Sequence, residues 1–334
     1  MSIDNVEAPL LPGAFLRQAP ALDPADRAIV EHLQEDGRRS FARIARATDL
    51  TEKTVRSRVR HLIHSEIIQI AAVTDPRALG YHSSALLGLV LDPAAPASRT
   101  ARKLLSVAVI DYVVVATGRY GLFAEVICHD RRELQDVIEN RIGRIIGIRT
   151  IESFPYLSLH YQLANFGAAR RKSLQEAGVI PRTLAATDRD IVKALSEDGR
   201  MPLQAVADRL GISESQVRNR FNAMAANGVV SVIAIVNPMS LGYGTVAWVA
   251  VHVGGGVQAR DVADGLSRLS HVTYVAICAG RFDIFTEIAC RDEAELLAVI
   301  DDDIRPLDGV MSVEVSIYQH LHYKRLTPIG RSRT

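Results

Sequence analysis

Residues 184–200 read LAATDRDIVKALSEDGR, and residues 22–38 read LDPADRAIVEHLQEDGR. The two stretches share Asp-Arg, Ile-Val and Glu-Asp-Gly-Arg in one register, 162 positions apart. The same offset pairs DPRALGY (Asp75 to Tyr81) with NPMSLGY (Asn237 to Tyr243). It also pairs GRYGLFAEVIC (Gly118 to Cys128) with GRFDIFTEIAC (Gly280 to Cys290), and LHY at 159–161 with LHY at 321–323. The register holds without a gap over about 140 residues at about 30% identity, so the chain is two copies of one unit. The basic segment FGAARRKSLQEAGVIPR, Phe166 to Arg182, joins them.

The first half of each unit is helical. Ile29, Val30 and Leu33 share one face, as do Ile191, Val192 and Leu195. Glu-Asp-Gly at 35–37 and 197–199 is expected to end that helix on a C-terminal glycine. A second helix follows, FARIARATD and PLQAVADRL, with Pro202 suited to its first turn. Gly211 makes the next turn in copy two. Asp49 stands there in copy one and tolerates the left-handed conformation better than most residues. Thr51 and Ser213 are N-caps for the third helices, TEKTVRSRVRHLIHSE and SESQVRNRFNAMAANG.

In those helices Val55, Val59, Leu62 and Ile63 point inward, as do Val217, Phe221 and Met224. The outward face carries Lys53, Thr54, Arg56, Ser57, Arg58 and Arg60 in copy one. In copy two it carries Ser215, Gln216, Arg218, Asn219 and Arg220, after Ser213. Two short helices, a tight turn and an outward face of Arg, Asn, Gln and Ser make a helix-turn-helix, whose last helix enters the DNA major groove. Arg can read guanine and Gln or Asn can read adenine there. Double-stranded DNA is therefore the expected partner. The apolar runs IIQIAAVTDP and VVSVIAIVNP would form a β-wing or a linking strand.

The second half of each unit reads β-α-β-β-α-β, the ferredoxin-like plan. SALLGLVLD and TVAWVAVHV are first strands, and YVVVATG and YVAICAG second strands ending in glycine. The fold class is α+β: two tandem units, each a helix-turn-helix followed by a ferredoxin-like βαββαβ domain. The expected boundaries are 22–75 and 184–237 for the helix-turn-helix domains, 80–165 and 242–327 for the ferredoxin-like domains, and 166–183 for the linker.

Composition narrows the function classes. The chain has 334 residues, with 39 Lys+Arg against 38 Asp+Glu, so DNA contact must come from a local basic face rather than bulk charge. Thr51 to Arg60 holds four bases and one acid, while Asp283 to Asp303 holds eight acids and one base. Cys128, Cys278 and Cys290 show no zinc spacing and are expected to be buried thiols in a reducing cytoplasm. No apolar run reaches the roughly 18 residues of a membrane span. Met1 to Ala21 lacks a signal-peptide core and reads as a loose tail.

Taken together, the D-R-x-I-V…E-D-G-R opening, the S-E-S-x-V-R-x-R helix, the N-P-x-x-L-G-Y join and the A-G-R-F-D turn resemble the leucine-responsive/asparagine-operon (Lrp/AsnC, feast/famine) family. The resemblance covers nearly the whole chain, twice, whereas most members carry one copy. It implies a transcription regulator in which each unit is a winged helix-turn-helix followed by a ferredoxin-like βαββαβ ligand-sensing domain, whose sensing domains pair through their sheets and bind an amino acid or related metabolite, and a homo-oligomer, dimer or tetramer. It places the effector near Ala279, Gly280, Arg281, Phe282 and Asp283, where Asp283 suits an α-amino group. The matching turn of copy one, Gly118, Arg119, Tyr120 and Gly121, lacks that Asp and is expected to be a weaker or altered site. The two recognition helices differ in sequence, so one chain is expected to mimic a dimer and to read an asymmetric operator.

Enzyme readings carry less. His320 and His322 share a strand face without a third ligand, so no metal is expected, and no cofactor. Gly254 to Gly256 lacks the helix context of a phosphate loop, and no GxSxG or HExxH occurs. Siroheme decarboxylases resemble this two-unit plan, but their His/Tyr/Arg-rich motif has no counterpart in YVVVATGRYG or YVAICAGRFD. A metabolite sensor acting on a protein partner is the remaining alternative.

Overall fold

Ile29, Val30, Leu33, Ile191 and Leu195 are fully buried, or nearly so, in one shared core. The computed structural model describes residues 22–65, 67–74, 76–162, 183–236 and 241–323. The tail before Leu22, the joining segment 166–182, Asp75, 237–240 and the side chains of His160 and His322 lie outside the described residues.

Each unit begins with three helices. They are α1 (Pro24–Glu35), α2 (Phe41–Thr48) and α3 (Glu52–His64) in copy one, and α6 (Ala186–Glu197), α7 (Leu203–Leu210) and α8 (Glu214–Ala226) in copy two. The expected caps form: Thr51 accepts from the Thr54 amide, and Ser213 and Gln216 make a reciprocal capping box. Asp49 is left-handed, with φ 54° and ψ 36°, matching Gly211 at 67° and 31°. Pro202 is itself the N-cap rather than a first-turn residue. Ile63 is a correction: it is 42% exposed, because the turn ending α3 carries it past the face held by Val55, Val59 and Leu62.

A second correction concerns Gly37 and Gly199. Asp36 and Asp198 cap α1 and α6 in extended conformation, and neither glycine is left-handed. Both are needed for close approach. A Cβ on Gly37 would lie 2.9 Å from Ile70 Cγ2 and 3.0 Å from the Ile233 backbone, and one on Gly199 would lie 2.8 Å from the Ala71 nitrogen.

Those neighbours belong to the linking strands β1 (Ile68–Thr74) and β6 (Val230–Val236), which pair antiparallel with each other from Ile68↔Val236 to Thr74↔Val230. Of the two alternatives read from the sequence, the linking strand is the one formed, and the helix-turn-helix units share a two-stranded ribbon. Helix α1 packs on β6 and α6 on β1, so each copy rests on the other's strand.

The ferredoxin-like halves follow the expected order. Copy one has β2 (Ser83–Leu91), α4 (Ala97–Leu105), β3 (Ile110–Ala116), β4 (Leu122–Cys128), α5 (Arg131–Asp136) and β5 (Ile148–Gln162). Copy two has β7 (Thr245–Val253), α9 (Ala259–Ser267), β8 (Val272–Cys278), β9 (Ile284–Cys290), α10 (Glu293–Ala298) and β10 (Val310–Tyr323). Helices α5 and α10 continue as π-helical turns over Val137–Ile142 and Val299–Ile304. That wider turn brings residues five apart, Val137 with Ile142 and Val299 with Ile304, onto the same buried face.

The last strands are long because each serves two sheets. β5 pairs β2 through Pro155 and then pairs β8 of the other copy from Tyr156 onward. β10 pairs β7 through Ile317 and β3 from Tyr318 onward. The eight strands therefore close into one barrel, β10-β3-β4-β2-β5-β8-β9-β7. Aliphatic cores separate its two outer faces from α4 and α5 and from α9 and α10. The interior is aromatic, with Tyr120, Phe123, Phe154, Trp248, Tyr274, Phe282 and Phe285.

Candidate nucleic-acid interface and effector turns

Buried Ala45 and Ala207 let α2 approach α3 and α7 approach α8, with Leu50 N–H to Ala45 O at 3.0 Å and Ile212 N–H to Ala207 O at 3.2 Å closing the turns. Val55 and Val217 are fully buried beneath them. The outward faces of α3 and α8 are left to solvent. Lys53, Ser57, Arg60, Ser215 and Asn219 are exposed. Arg56 pairs with Glu52 at 2.6 Å and lies over the Phe41 ring, and Arg218 pairs with Glu214. Exposed pairs of this kind are worth less than about 1 kcal/mol, so they yield readily to a phosphate or a base.

Four of the anticipated contacts have other work. Arg58 bonds Asp23 at 2.6 Å and Asp26 at 3.0 Å, and Arg220 bonds Asp188 at 3.0 Å, tying each recognition helix to the first helix of its unit. Gln216 accepts the Ser213 amide at 3.0 Å in the capping box. Thr54 shares its hydroxyl with Thr51 at 2.8 Å.

What the sequence reading missed is the clasp between units. Gly37 N–H donates to Val232 O at 2.7 Å, and Gly199 N–H to Ile70 O at 2.9 Å. Arg38 donates to Gly199 O at 2.6 Å and Met201 O at 3.1 Å, while Arg200 donates to Gly37 O at 2.7 Å and Arg39 O at 3.2 Å. Arg200 lies 4.2 Å over the Phe41 ring and Arg38 5.7 Å over the Phe221 ring. The signal was present, since Glu-Asp-Gly-Arg recurs unchanged in both copies. Its cross-copy partners were not visible.

The turns expected to hold an effector lie on the seam between copies. Gly118 and Gly280 are left-handed, with φ 100° and 133°. Ala279 N–H donates to Pro155 O at 2.9 Å, and a Cβ on Gly280 would come 3.3 Å from Phe154. Thr117 N–H donates to Ile317 O at 2.9 Å. Each turn thus leans on the other copy's last strand. Tyr120 and Phe282 turn into the barrel. The two turn arginines converge on one carboxylate, with Arg119 at 3.7 Å and Arg281 at 3.9 Å from Glu152. Tyr120 also donates its hydroxyl to Glu152, and Arg281 pairs with Glu314 at 2.7 Å.

Asp283 is occupied by the end of the neighbouring strand β7: it accepts the Val253 amide at 2.8 Å and sits 3.2 Å from His252 Nδ1. In copy one Gly121 packs under Leu91, where a Cβ would lie 3.3 Å away. Among the described residues no His/Cys/Asp/Glu group could hold a metal ion, and no helix is long and apolar enough to cross a membrane. The three cysteines are buried, and burial pushes their thiols up to about 12.

Two family models match the chain, each twice. The AsnC-type helix-turn-helix domain covers residues 22–63 and 184–225. A C-terminal dimeric alpha+beta barrel domain covers 98–167 and 245–327. An uncharacterized HTH-type transcriptional regulator of Pyrococcus abyssi is 36% identical over 131 residues, 39% of this chain and 82% of that protein. The HTH-type transcriptional regulator LrpA of Pyrococcus horikoshii is 33% identical over 38% of this chain and 89% of its own length. Among solved structures, the siroheme decarboxylase NirDL is similar over 90% of this chain and 93% of its own, with TM-score 0.61 and 15% identity, a likeness of fold alone.

Proposed function

The chain belongs to the Lrp/AsnC family of helix-turn-helix transcriptional regulators, and on that premise we propose that it reads one asymmetric operator through two unlike recognition helices, under control of a small effector. The observation that carries this reading is the shared body of the two helix-turn-helix units. One core and one β1–β6 ribbon hold α3 and α8 together in a single chain. Lys53, Arg56, Ser57 and Arg60 face one half-site, and Ser215, Arg218 and Asn219 face the other. Arg58 and Arg220 brace the helices while keeping part of their surface open to phosphate.

The effector is an amino acid or a related metabolite, bound beside Gly118–Gly121 or Ala279–Asp283, where both turns cross the seam between copies. The chain self-associates as a dimer or tetramer and acts in the cytoplasm.

The test is capture of genomic duplex fragments by the full chain, at two salt concentrations, with and without a pool of amino acids. Footprints on enriched fragments should show two different half-sites, and preference should survive the salt that weakens total affinity. Arg56→Ala and Arg218→Ala should each relax a different half of the footprint, at about 1–3 kcal/mol per lost base contact. Equal, symmetric half-sites would overturn the asymmetric reading. Cellular effects that survive both substitutions would favour a protein partner.

The likeness to NirDL supports a second, enzymatic reading through fold alone. The strands flanking the turns here are apolar, Val113–Ala116 and Val275–Cys278. Purified protein is expected to lack a haem Soret band, and a stoichiometric band would revive that reading.

A further inference from the structure

The repeat allows the two outer flanks of the barrel to be compared position by position. Residues 97–107 and 129–149, which include α4 and α5, cover one flank with eight Lys/Arg and four Asp/Glu, a net charge of +4. Their equivalents, 259–269 and 291–311, which include α9 and α10, cover the other with four Lys/Arg and nine Asp/Glu, a net of −5. At four equivalent positions a base in copy one is an acid in copy two: Arg99 and Asp261, Arg102 and Asp264, Arg131 and Glu293, Arg141 and Asp303. All of these except the half-buried Asp264 are exposed.

The acidic flank has little charge of its own to offset it. Arg291 is taken by Glu295 at 2.8 Å and Arg305 by Asp301 at 3.0 Å. Asp302 and Asp303 line a shallow open groove of about 510 Å³ with Glu295 and His271. Each flank also exposes apolar surface: Ile146 is 86% exposed on the basic side, and Leu297 and Met311 are 59% and 74% exposed on the acidic side. The flanks lie on opposite outer faces of the barrel, beyond separate aliphatic cores.

A dimer of identical single units would present two flanks of like charge. Duplication freed them to diverge, and here they have diverged to opposite sign. We propose that the acidic α9–α10 flank of one chain docks on the basic α4–α5 flank of a second copy, head to tail. The occupant of each flank is thus another molecule of this chain. Complementary potentials set the orientation, and the exposed apolar residues supply contact at the interface. A contact between unlike faces is heterologous, so of the two states proposed above it fits the tetramer, closed as a ring, rather than the dimer. The inference rests on the self-association proposed above and states which surfaces carry it.

Sedimentation of the full chain at about 0.05 M and about 0.5 M salt tests it, because screening weakens an electrostatic contact. Wild-type association should fall about tenfold or more at high salt. Two variants sharpen the test. One carries Asp261→Lys, Asp264→Lys, Glu293→Lys and Asp303→Lys. The other carries Arg99→Glu, Arg102→Glu, Arg131→Glu and Arg141→Glu. Each alone should lose association, and their equimolar mixture should regain it. The milder pair Asp303→Lys and Arg141→Glu repeats the test where the quadruple variants melt early.

A chain that stays monomeric at every concentration and salt overturns both the inference and self-association itself. Association that ignores salt and reversal overturns the charged contact alone. Basic-flank reversal that weakens duplex binding while leaving association intact assigns that flank to DNA, and the inference fails.

Discussion

Glu125 and Glu287 project into the aromatic interior of the barrel from equivalent places on β4 and β9, and burial pushes both carboxyls up. Their hydrogen-bond partners differ. Glu287 accepts from the Thr273 hydroxyl at 2.6 Å and the Tyr318 hydroxyl at 2.7 Å. Glu125 accepts from the Tyr274 hydroxyl at 2.6 Å, and the position equivalent to Thr273 beside it is held by Asp111. A carboxyl raised in the folded state binds its proton more tightly there than in the unfolded chain. Its stabilisation is full below the usual carboxylate range and is lost as pH rises through the raised value. Glu125→Gln should therefore leave melting near pH 5 almost unchanged and raise the melting temperature at pH 8 by several degrees, each pKa unit removed being worth about 1.4 kcal/mol. A variant that melts like wild type across that pH range would refute the account. Glu295 runs the opposite way: Arg291 holds its carboxyl down at about 2, so its contribution is full above the usual carboxylate range and is lost as pH falls from there through about 2.

At the scale of elements, the ribbon and its clasp hold the two DNA-binding units in one body. The four arginine contacts run from charged donors to carbonyls, and bonds of that type contribute about 1.5–3 kcal/mol each. Burial pushes both guanidiniums down from their ordinary value, yet each stays protonated and keeps its carbonyl partners. Arg38→Met with Arg200→Met should lower the melting temperature of the helical body while the near-ultraviolet signal of the aromatic barrel persists. Binding to the two-element operator should fall more than binding to one half-site, because the separation of α3 and α8 is no longer held. Equal losses on both duplexes would reduce the arginines to general stability. Gly37→Ala should cost about 1–3 kcal/mol by pushing Ile70 and the Ile233 backbone away. Local reasoning took Glu-Asp-Gly for a helix stop because nothing within 30 residues reveals a strand from the other copy. The turns at Asp49 and Gly211, and the caps at Thr51 and Ser213, were legible because they depend on neighbours within one helical turn.

For the whole molecule, the barrel makes each copy incomplete alone. A fragment of residues 22–162 would expose Phe123 and Phe154 and leave the second half of β5 without β8. It should dimerise, with β5 of one fragment taking β3 of its partner, and light scattering should report twice the fragment mass. A stable folded monomer would show that closure is dispensable. By itself the sequence determined the duplication, the helix-turn-helix in each copy, the βαββαβ order and the family, because repeat register, helical periodicity and turn chemistry are local or register properties. The tertiary structure alone decided that the linking runs pair with each other, that β5 and β10 cross between copies, that Asp283 is spent on the end of β7, and that Arg38 and Arg200 join the units. Those contacts link residues up to about 200 positions apart, and packing selects them from many partners of equal local chemistry.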